Sequence, residues 1–432
     1  MIIQFSVKNF KAFRDLTTLS FLASNYDKET REDENVTIIP EFNLRLLKSA
    51  VVYGANASGK SKLMEALVFM KKLVVSSSKE SQKGDKIDVE PFRLQEDSEK
   101  APSEFEVVFI HNKEMFRYGF EVTSTKVVAE WLFHKPKTKE IELFYREEQT
   151  FDVHTRNFSK GGTLVKEELI RENALMLSVA AQFNDKIAGR VLDWFKKLKT
   201  ISGLTEAGYQ GYTMHQTRNP EQKTKILDLL KAADLGIQDI AIESLDLNNL
   251  PKEMPKELRE KIIKESATDG VEFISDVLTT HRKYDSNKNY IGPIQFSLDD
   301  EESSGTKKFF ALTGPVLDVL ENGYILAVDE LDSKLHTNLV CKIVSLFNSS
   351  DTNPNNAQLI FNTHNTNLLD SGLFRRDQIW FNEKDRYGVS KLYSLAEFKS
   401  EEVRKSENFE DNYIRGKYGA VPNLNFENLV NS

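Results

Sequence analysis

The chain has 432 residues, of which 40% are hydrophobic and 29% charged, with a formal net charge of −8. This composition is expected of a soluble globular protein with room for two or three domains, or for one large domain with an inserted arm. The negative charge argues against broad electrostatic adhesion to nucleic acid or to anionic lipid. The single cysteine, Cys341, excludes an internal disulfide, and no apolar run approaches the roughly 18 residues of a membrane helix. We therefore expect a cytoplasmic protein without a membrane partner.

The first half of the chain is predicted to begin with two strands over 1–22, followed by a surface loop over 23–47. A short apolar run then ends in Gly54-Ala55-Asn56-Ala57-Ser58-Gly59-Lys60-Ser61, and helix formers follow. Strand, glycine-rich turn and helix are the context that a phosphate-binding loop requires. Its two glycines let backbone N–H groups converge on an anion, Lys60 can reach the β- and γ-phosphates, and Ser61 can ligate Mg²⁺. A chance match in a polar loop is disfavoured by the flanking elements.

In the middle of the chain, a strict alternation of apolar and polar residues gives way to helical patterns. Residues 104–153 alternate between apolar and polar positions with turns between them, which predicts an antiparallel β-lobe. Residues 164–200 are predicted to be helical and 203–219 irregular. Further predicted elements are a helix at 221–233, a strand at 237–245, a short charged helix at 251–265 and a strand at 271–284. Because no sustained heptad array is present, any arm between the two halves is short rather than a long coiled coil.

The second half carries the carboxylates and the histidine. Ser303-Ser304-Gly305-Thr306 precedes an apolar helix at 309–320 and offers a second anion site, although such turns also cap ordinary helices. The apolar run 324–328 predicts a buried strand that ends in Asp329-Glu330, and adjacent buried carboxylates imply a compensating cation. A second buried strand, 358–362, leads to His364, which can contact a γ-phosphate or be structural.

The order of these motifs resembles that of ABC-type ATPases, and the Asn9-Phe10-Lys11-Ala12-Phe13 start is similar to the SMC-related branch. Within that branch, the chain resembles the bacterial stand-alone ATPases of the abortive-infection, anti-phage group of the AbiL and RloA kind. That narrower resemblance is carried by Pro91–Leu94, Ala180–Asn184 and the tail Arg415–Pro422. It covers nearly the full chain except 201–220 and 248–270.

The resemblance implies an α/β fold: an ABC-type phosphate-loop ATPase with an antiparallel β-lobe and a short helical arm inserted between the two halves of the nucleotide-binding domain. The implied divisions are an N-terminal half at 1–184, an arm at 185–270 and a C-terminal half at 271–432. No nuclease signature follows residue 385.

The resemblance also assigns roles to residues, with ATP and Mg²⁺ as cofactors. Glu330 is implied as the general base, His364 as the sensor of the γ-phosphate, and Gln182 as a glutamine that touches Mg²⁺ and water. Ser61 and Asp329 would support the metal. Residues 54–61 would bind the nucleotide of their own chain, whereas Ser304, Gly305, Thr306 and Asp332 would act across a subunit interface. Thr306 stands where the family usually has a second glycine, and Asn365 where an aspartate is common.

Two functions are compatible with these features. The first is an ATP-driven sensor or switch in anti-phage defence, a homodimer or higher homo-oligomer that controls a separate effector such as a nuclease and responds to a nucleic acid or a phage protein. The alternative is a DNA-repair or recombination ATPase that acts on nucleic acid directly. The short arm and the acidic balance favour the first function, and a transporter motor is a weaker third option.

Overall fold

The computed structural model describes residues 1–80, 82–244, 254–257, 259–260, 264, 274–398 and 407–422. The predicted helix at 251–265 lies largely outside the described residues. The chain divides into two compact units. Unit 1 contains Met1–Leu204, Val319–Ser333 and Val340–Ser432, and unit 2 contains Thr205–Asp318 and Lys334–Leu339.

The strands of the described residues are numbered in chain order. They are β1 (Ile2–Lys8), β2 (Thr17–Ser20), β3 (Val36–Ile39), β4 (Leu44–Leu47), β5 (Ser49–Tyr53), β6 (Ser103–His111), β7 (Glu114–Val122), β8 (Val127–Lys135), β9 (Ile141–Glu147), β10 (Thr150–Val153), β11 (Leu198–Ser202), β12 (Asp239–Ser244), β13 (Ile274–Tyr284), β14 (Tyr290–Ser297), β15 (Ile325–Asp329), β16 (Gln358–Asn362), β17 (Ile379–Lys384) and β18 (Ser390–Ser394).

The α-helices are numbered in the same way. They are α1 (Glu32–Asn35), α2 (Lys60–Ser76), α3 (Glu96–Lys100), α4 (Ser159–Lys166), α5 (Met176–Gln182), α6 (Lys186–Lys197), α7 (Ala207–Gln216), α8 (Pro220–Ala232), α9 (Ser304–Asn322), α10 (Thr337–Asn348) and α11 (Phe409–Ile414). None of the helices in this described part of the chain is long and apolar enough to cross a membrane.

The larger sheet of unit 1 is the predicted antiparallel lobe. Its seven strands run in the order β10-β9-β8-β7-β6-β1-β2, and every neighbouring pair is antiparallel. Alternate residues of β6, such as Phe105 and Phe109, are fully buried, as the period-two pattern predicts. Phe109 stacks on Trp194 of α6 with the ring centroids 4.0 Å apart, so α6 covers this sheet. The antiparallel lobe is therefore confirmed.

The second sheet of unit 1 has six strands in the order β11-β15-β16-β5-β17-β18. The first five are parallel, and β18 adds an antiparallel edge. All five residues of β5 and of β16 are buried, which is why these strands are continuous apolar runs rather than alternating ones. The order places the carboxyl ends of β15, β16 and β5 side by side. The predicted α/β class is confirmed.

Buried polar side chains connect the elements of unit 1. Gln358, the first residue of β16, accepts a hydrogen bond from the Ile2 amide at 2.6 Å and donates to the Leu47 carbonyl at 3.0 Å. In the lobe, Glu130 accepts bonds from the amides of Met176 and Leu177 at the start of α5. Burial raises the pKa of Glu130, and the neighbouring Arg146 opposes that shift. These contacts fix β1 against the parallel sheet and α5 against the lobe.

Two predictions for unit 1 are wrong in detail. The predicted surface loop at 23–47 contains α1, β3 and β4, and buried Arg375 binds Glu32 of α1 at 3.0 Å. Residues 198–202, predicted to be helical, form β11, which pairs in parallel with β15. In both cases a partner that is distant in sequence overrides the local pattern.

Unit 2 contains helices and a three-stranded antiparallel sheet in the order β12-β13-β14. The segment predicted to be irregular forms α7 instead. The Thr213 hydroxyl of α7 donates to the Ala311 carbonyl of α9 at 2.6 Å. A Cβ at Gly314 would lie 2.5 Å from the Thr213 hydroxyl oxygen, so a glycine lets the two helices approach. This packing outweighs the weak helix propensity of the two glycines in α7.

The buried histidine at the end of β6 makes the fold sensitive to acid. Burial lowers the pKa of His111 to about 4, and Lys197 adds to the shift, whereas an unfolded histidine titrates near 6.5. Between these values the unfolded chain binds a proton that the folded chain does not, so stability falls as pH drops from about 6.5 to 4. His111→Phe should remove roughly 1–3 kcal/mol of this loss. Denaturant unfolding of both proteins at pH 7.5 and 4.5 measures it, and identical pH dependences would contradict the assignment.

Candidate functional site

The loop between β5 and α2 wraps tightly because two glycines permit it. Gly54 has φ +154° and Gly59 has φ +110°. A Cβ at Gly54 would lie 2.3 Å from the Asn382 carbonyl oxygen, and one at Gly59 would lie 2.6 Å from the Ser390 hydroxyl oxygen. Asn382 and Ser390 also donate hydrogen bonds to the Ser58 carbonyl, at 3.1 and 2.5 Å. Strands β17 and β18 therefore support the loop from behind.

Lys60 is the first residue of α2 and points back into the loop. Its ammonium donates to the carbonyl oxygens of Gly54 at 2.7 Å and of Ala55 at 3.1 Å. Burial lowers the pKa of Lys60 to about 8, although the nearby carboxylates of Glu330, Asp329 and Asp332 oppose the shift. The loop thus holds a buried cation whose local compensation is incomplete, which is the electrostatic situation that a bound anion relieves.

One amide, that of Asn362, binds both acidic residues at the end of β15. Asn362 ends β16, is fully buried, and donates its Nδ2 to Asp329 Oδ1. Its Oδ1 accepts a hydrogen bond from the Glu330 backbone amide. Because a carboxamide both donates and accepts, it can bind the Asp329 side chain and the Glu330 backbone together. The sequence analysis did not identify Asn362.

Glu330 has a left-handed backbone, with φ +56°. This conformation is uncommon outside glycine and costs about 1–3 kcal/mol, so the surroundings must enforce it. Gly203 is one of the contacts that do so, because its amide donates to the Asp329 carbonyl at 2.6 Å. A Cβ at Gly203 would lie 2.0 Å from the Glu330 carbonyl oxygen. Only the parallel pairing of β11 with β15 reveals this role for Gly203.

Asp332 and His364 are brought together by the turns after β15 and β16. One carboxylate oxygen of Asp332 accepts a hydrogen bond from the His364 backbone amide at 3.3 Å. The other oxygen, Oδ1, is buried and has no hydrogen-bond partner. The role of Asp332 across a subunit interface stays a prediction.

An open cavity of about 590 Å³ lies beside the glycine-rich loop. From the predicted set it is lined by residues 56–61, Glu330 and His364. A further wall comes from Lys11, Ala12 and the Pro91–Leu94 stretch, which were not predicted as site residues. Lys11 forms ion pairs with Glu65 at 2.6 Å and with Glu90 at 3.0 Å. The cavity therefore combines a glycine-rich loop with a buried lysine, an acidic side chain and a partly apolar wall.

The remaining predicted residues lie elsewhere. Gln182 is exposed at the C-terminal end of α5 and is not among the residues that line the cavity. Ser304, Gly305 and Thr306 begin α9 within unit 2. The Thr306 amide donates to the Ser303 hydroxyl at 3.1 Å and the two hydroxyls are hydrogen bonded, so Ser303 caps this helix. Ser304 is exposed, whereas Thr306 is buried.

The oxygen donors of the site fit Mg²⁺. The hydroxyl of Ser61 and the carboxylate of Asp329 are hard ligands, and the buried Asp332 Oδ1 lacks a partner. Within the described residues, no group of three or more histidine, cysteine or acidic side chains is arranged to hold a metal ion. Mg²⁺ is commonly held by one or two protein oxygens together with substrate phosphates and water, so this sparse set suits it.

The chain matches a known protein family over most of its length. Residues 49–370, more than half of the chain, match the family described as AAA domain, putative AbiEii toxin, Type IV TA system. The chain belongs to this family. The match begins at β5, ahead of the glycine-rich loop, and ends after His364, so it includes Glu330 and His364, the lining residues that follow β15 and β16. No curated protein matches the chain. The narrower AbiL and RloA assignment remains a prediction.

Solved structures that resemble the fold include SMC head domains. The SMC head domain from Thermotoga maritima is 13% identical with a TM-score of 0.40, and the match covers 91% of this chain and 98% of that one. An SMC head bound to the C-winged helix domain of ScpA is 12% identical, with a TM-score of 0.42 and coverages of 91% and 97%. A head with a coiled coil and joint from Pyrococcus yayanosii is 11% identical, with a TM-score of 0.40 and coverages of 91% and 96%.

The role of Asn362 can be tested by Asn362→Leu, which keeps the volume and removes both hydrogen bonds. We expect any nucleotide turnover to fall by about 10- to 100-fold, because Glu330 loses the contact that orients it, while nucleotide affinity changes little. Steady-state kinetics and calorimetric titration measure the two quantities.

The matched control is Asn353→Leu. Asn353 is equally buried and its amide bonds the Phe347 and Ala357 carbonyls, neither of which lines the cavity. The control should lose comparable stability and keep its turnover. Equal losses of turnover in both variants would show that Asn362 acts only through stability.

Proposed function

We propose that the protein binds and hydrolyses ATP at the cavity around Lys60. The observation that carries this proposal is that one cavity brings together Lys60, which is buried in the glycine-rich loop, and Glu330. An anion-binding loop alone binds phosphates, but a carboxylate beside it can also accept a proton from an attacking water.

Each residue of the cavity has a defined task in this proposal. The loop amides and Lys60 bind the phosphates, and the apolar part of the Pro91–Leu94 wall packs against the adenine of the nucleotide. Glu330 accepts a proton from water, and His364 donates a hydrogen bond to the terminal phosphate. Ser61 and Asp329 would hold Mg²⁺, which supplies charge neutralisation at the β- and γ-phosphates. Gln182 belongs to this machinery only as a sequence-based prediction.

The hydrolytic step is tested by Glu330→Gln. The amide cannot accept the proton, so we expect turnover to fall by about 10²- to 10⁴-fold while Mg-ATP still binds. Phosphate release and calorimetric titration measure the two effects. Wild-type protein that releases no phosphate under any condition, alone or with cellular extract, would refute hydrolysis.

We further propose that two chains complete each site. Ser304 and Gly305 begin a helix of unit 2 and offer a second set of anion-binding groups, whereas Lys60 already serves one phosphate site. In a two-fold symmetric pair, this helix start of one chain faces the loop of the other, and ATP then stabilises the pair.

Mixing two inactive variants tests this arrangement. Lys60→Ala removes the phosphate cation and Ser304→Arg blocks the second anion site, so each homodimer should be inactive. A mixed dimer contains one intact composite site and should regain a measurable part of the wild-type phosphate release. Mixed dimers that form, as shown by native mass spectrometry, yet remain inactive would show that each chain acts alone.

The cellular role that fits best is an ATP-dependent switch in anti-phage defence that controls a separately encoded effector such as a nuclease. Family membership supports a defence context, since the family description names a putative toxin and a toxin–antitoxin system.

The alternative, direct action on DNA, predicts that duplex DNA stimulates phosphate release. The switch predicts no stimulation by DNA and a changed rate when the effector is added. The net charge of −8 favours the switch.

A further inference from the structure

The C-terminal segment 407–421 contains the Arg-Gly-Lys-Tyr-Gly-Ala stretch, to which the proposed function assigns no task. The stretch forms a tight turn after α11, in which Gly416, Gly419 and Ala420 have φ values of +78°, +67° and +56°. A Cβ at Gly419 would lie 2.6 Å from the Tyr393 hydroxyl oxygen, and that hydroxyl donates to the Tyr418 carbonyl at 2.8 Å. The sequence of the turn is thus explained by its close packing on β18.

This turn is coupled to the phosphate loop through Tyr413 of α11. The buried Tyr413 hydroxyl donates to the Ala420 carbonyl at 3.1 Å. Its ring lies 5.8 Å from that of Tyr53, which immediately precedes the loop, and stacks on Phe381 of β17 at 5.2 Å. One side chain therefore contacts both the residue that precedes the phosphate loop and the C-terminal turn.

The same short helix contacts the segment that follows His364. The Thr366 hydroxyl donates to Glu410 at 2.7 Å, and the Phe409 amide donates to Asp370 at 2.7 Å. Thr366 begins a 3₁₀ turn that Asn365 caps, so only one residue separates this turn from His364. Helix α11 thereby joins the entry of the phosphate loop to the turn behind the histidine.

We infer that segment 407–421 is a structural part of the nucleotide site, in which Tyr413 positions the phosphate loop and Glu410 positions the turn next to His364. The inference rests on the proposed function. Neither residue lines the cavity, so both act through residues that do. The two contacts serve different tasks, because the loop binds phosphate and His364 acts on the terminal phosphate. Loss of the Tyr413 contact should weaken nucleotide binding, and loss of the Glu410 contact should slow turnover.

The first test is Tyr413→Phe, which keeps the ring and removes the hydroxyl. The affinity for a non-hydrolysable ATP analogue should fall about five- to twentyfold, because the Ala420 carbonyl loses its buried partner and the ring beside Tyr53 is no longer held by that bond. The turnover number at saturating ATP should change less than threefold. The matched control is Tyr393→Phe, which removes a hydroxyl bond from β18 to the Tyr418 carbonyl of the same turn. It should lower thermal stability similarly and leave analogue affinity unchanged.

The second test examines the hydrogen bond between Thr366 and Glu410. Glu410→Ala and Thr366→Val should each lower the turnover number about tenfold with analogue affinity within twofold of wild type, and the double variant should be no worse than either. Glu410→Gln keeps an acceptor for the Thr366 hydroxyl and should retain wild-type turnover.

The outcomes distinguish this inference from the proposed function. Wild-type protein that does not bind the analogue overturns the proposed function and the inference with it. Wild-type binding with unchanged Tyr413→Phe affinity, or equal losses in Tyr413→Phe and Tyr393→Phe, overturns the inference alone. Additive losses in the Glu410 and Thr366 double variant would likewise contradict the second contact.

Discussion

The parallel alignment of β15, β16 and β5 is the constraint on which the site depends. Val328 is paired with Phe361, and Asn362 with Val52, so the three strands end at nearly the same level. Chain leaving adjacent parallel strands at their carboxyl ends must converge on one edge of the sheet. This is why the phosphate loop, Glu330 and His364 surround one cavity although long stretches of sequence separate them. The strands can lie there because their apolar side chains cover both faces of the sheet.

The edge of the sheet also brings together groups that oppose one another energetically. Two consecutive acidic residues end β15, a lysine is buried in the neighbouring loop, and Glu330 has a strained backbone. Hydrogen bonds to charged groups contribute about 1.5–3 kcal/mol each, which is comparable to the strain at Glu330. From the strand between the acidic pair and the loop, the amide of Asn362 supplies one such contact to Asp329 and a second hydrogen bond to the Glu330 backbone. The sheet order thus provides both the convergence and the residue that stabilises it.

Support for the phosphate loop comes from behind rather than from the cavity. The backbone of Asn382 and the hydroxyl of Ser390 lie against the two loop glycines, so any side chain at those glycines would collide. The aromatic cluster of Tyr53, Phe381 and Tyr413 extends this support to the C-terminal turn. A loop that is rigid before a nucleotide arrives loses less conformational entropy on binding. The C-terminal turn is therefore connected to the site mechanically and not only through the chain.

The sequence by itself determined the features that depend on local pattern. Glycine spacing with a lysine and a serine identified the loop, period-two alternation identified the lobe, and apolar runs identified the strands ending in Asp329 and in Asn362. Tertiary structure alone decided the roles of Asn362, Gly203 and Tyr413, the strand at 198–202, and the helix at 207–216. Each of these depends on a partner distant in the chain: β15 for Gly203, the acidic pair for Asn362, Tyr53 for Tyr413, and α9 for α7. Local periodicity records which face of an element is apolar, but not which element covers it, and for this reason the sequence could not provide these contacts.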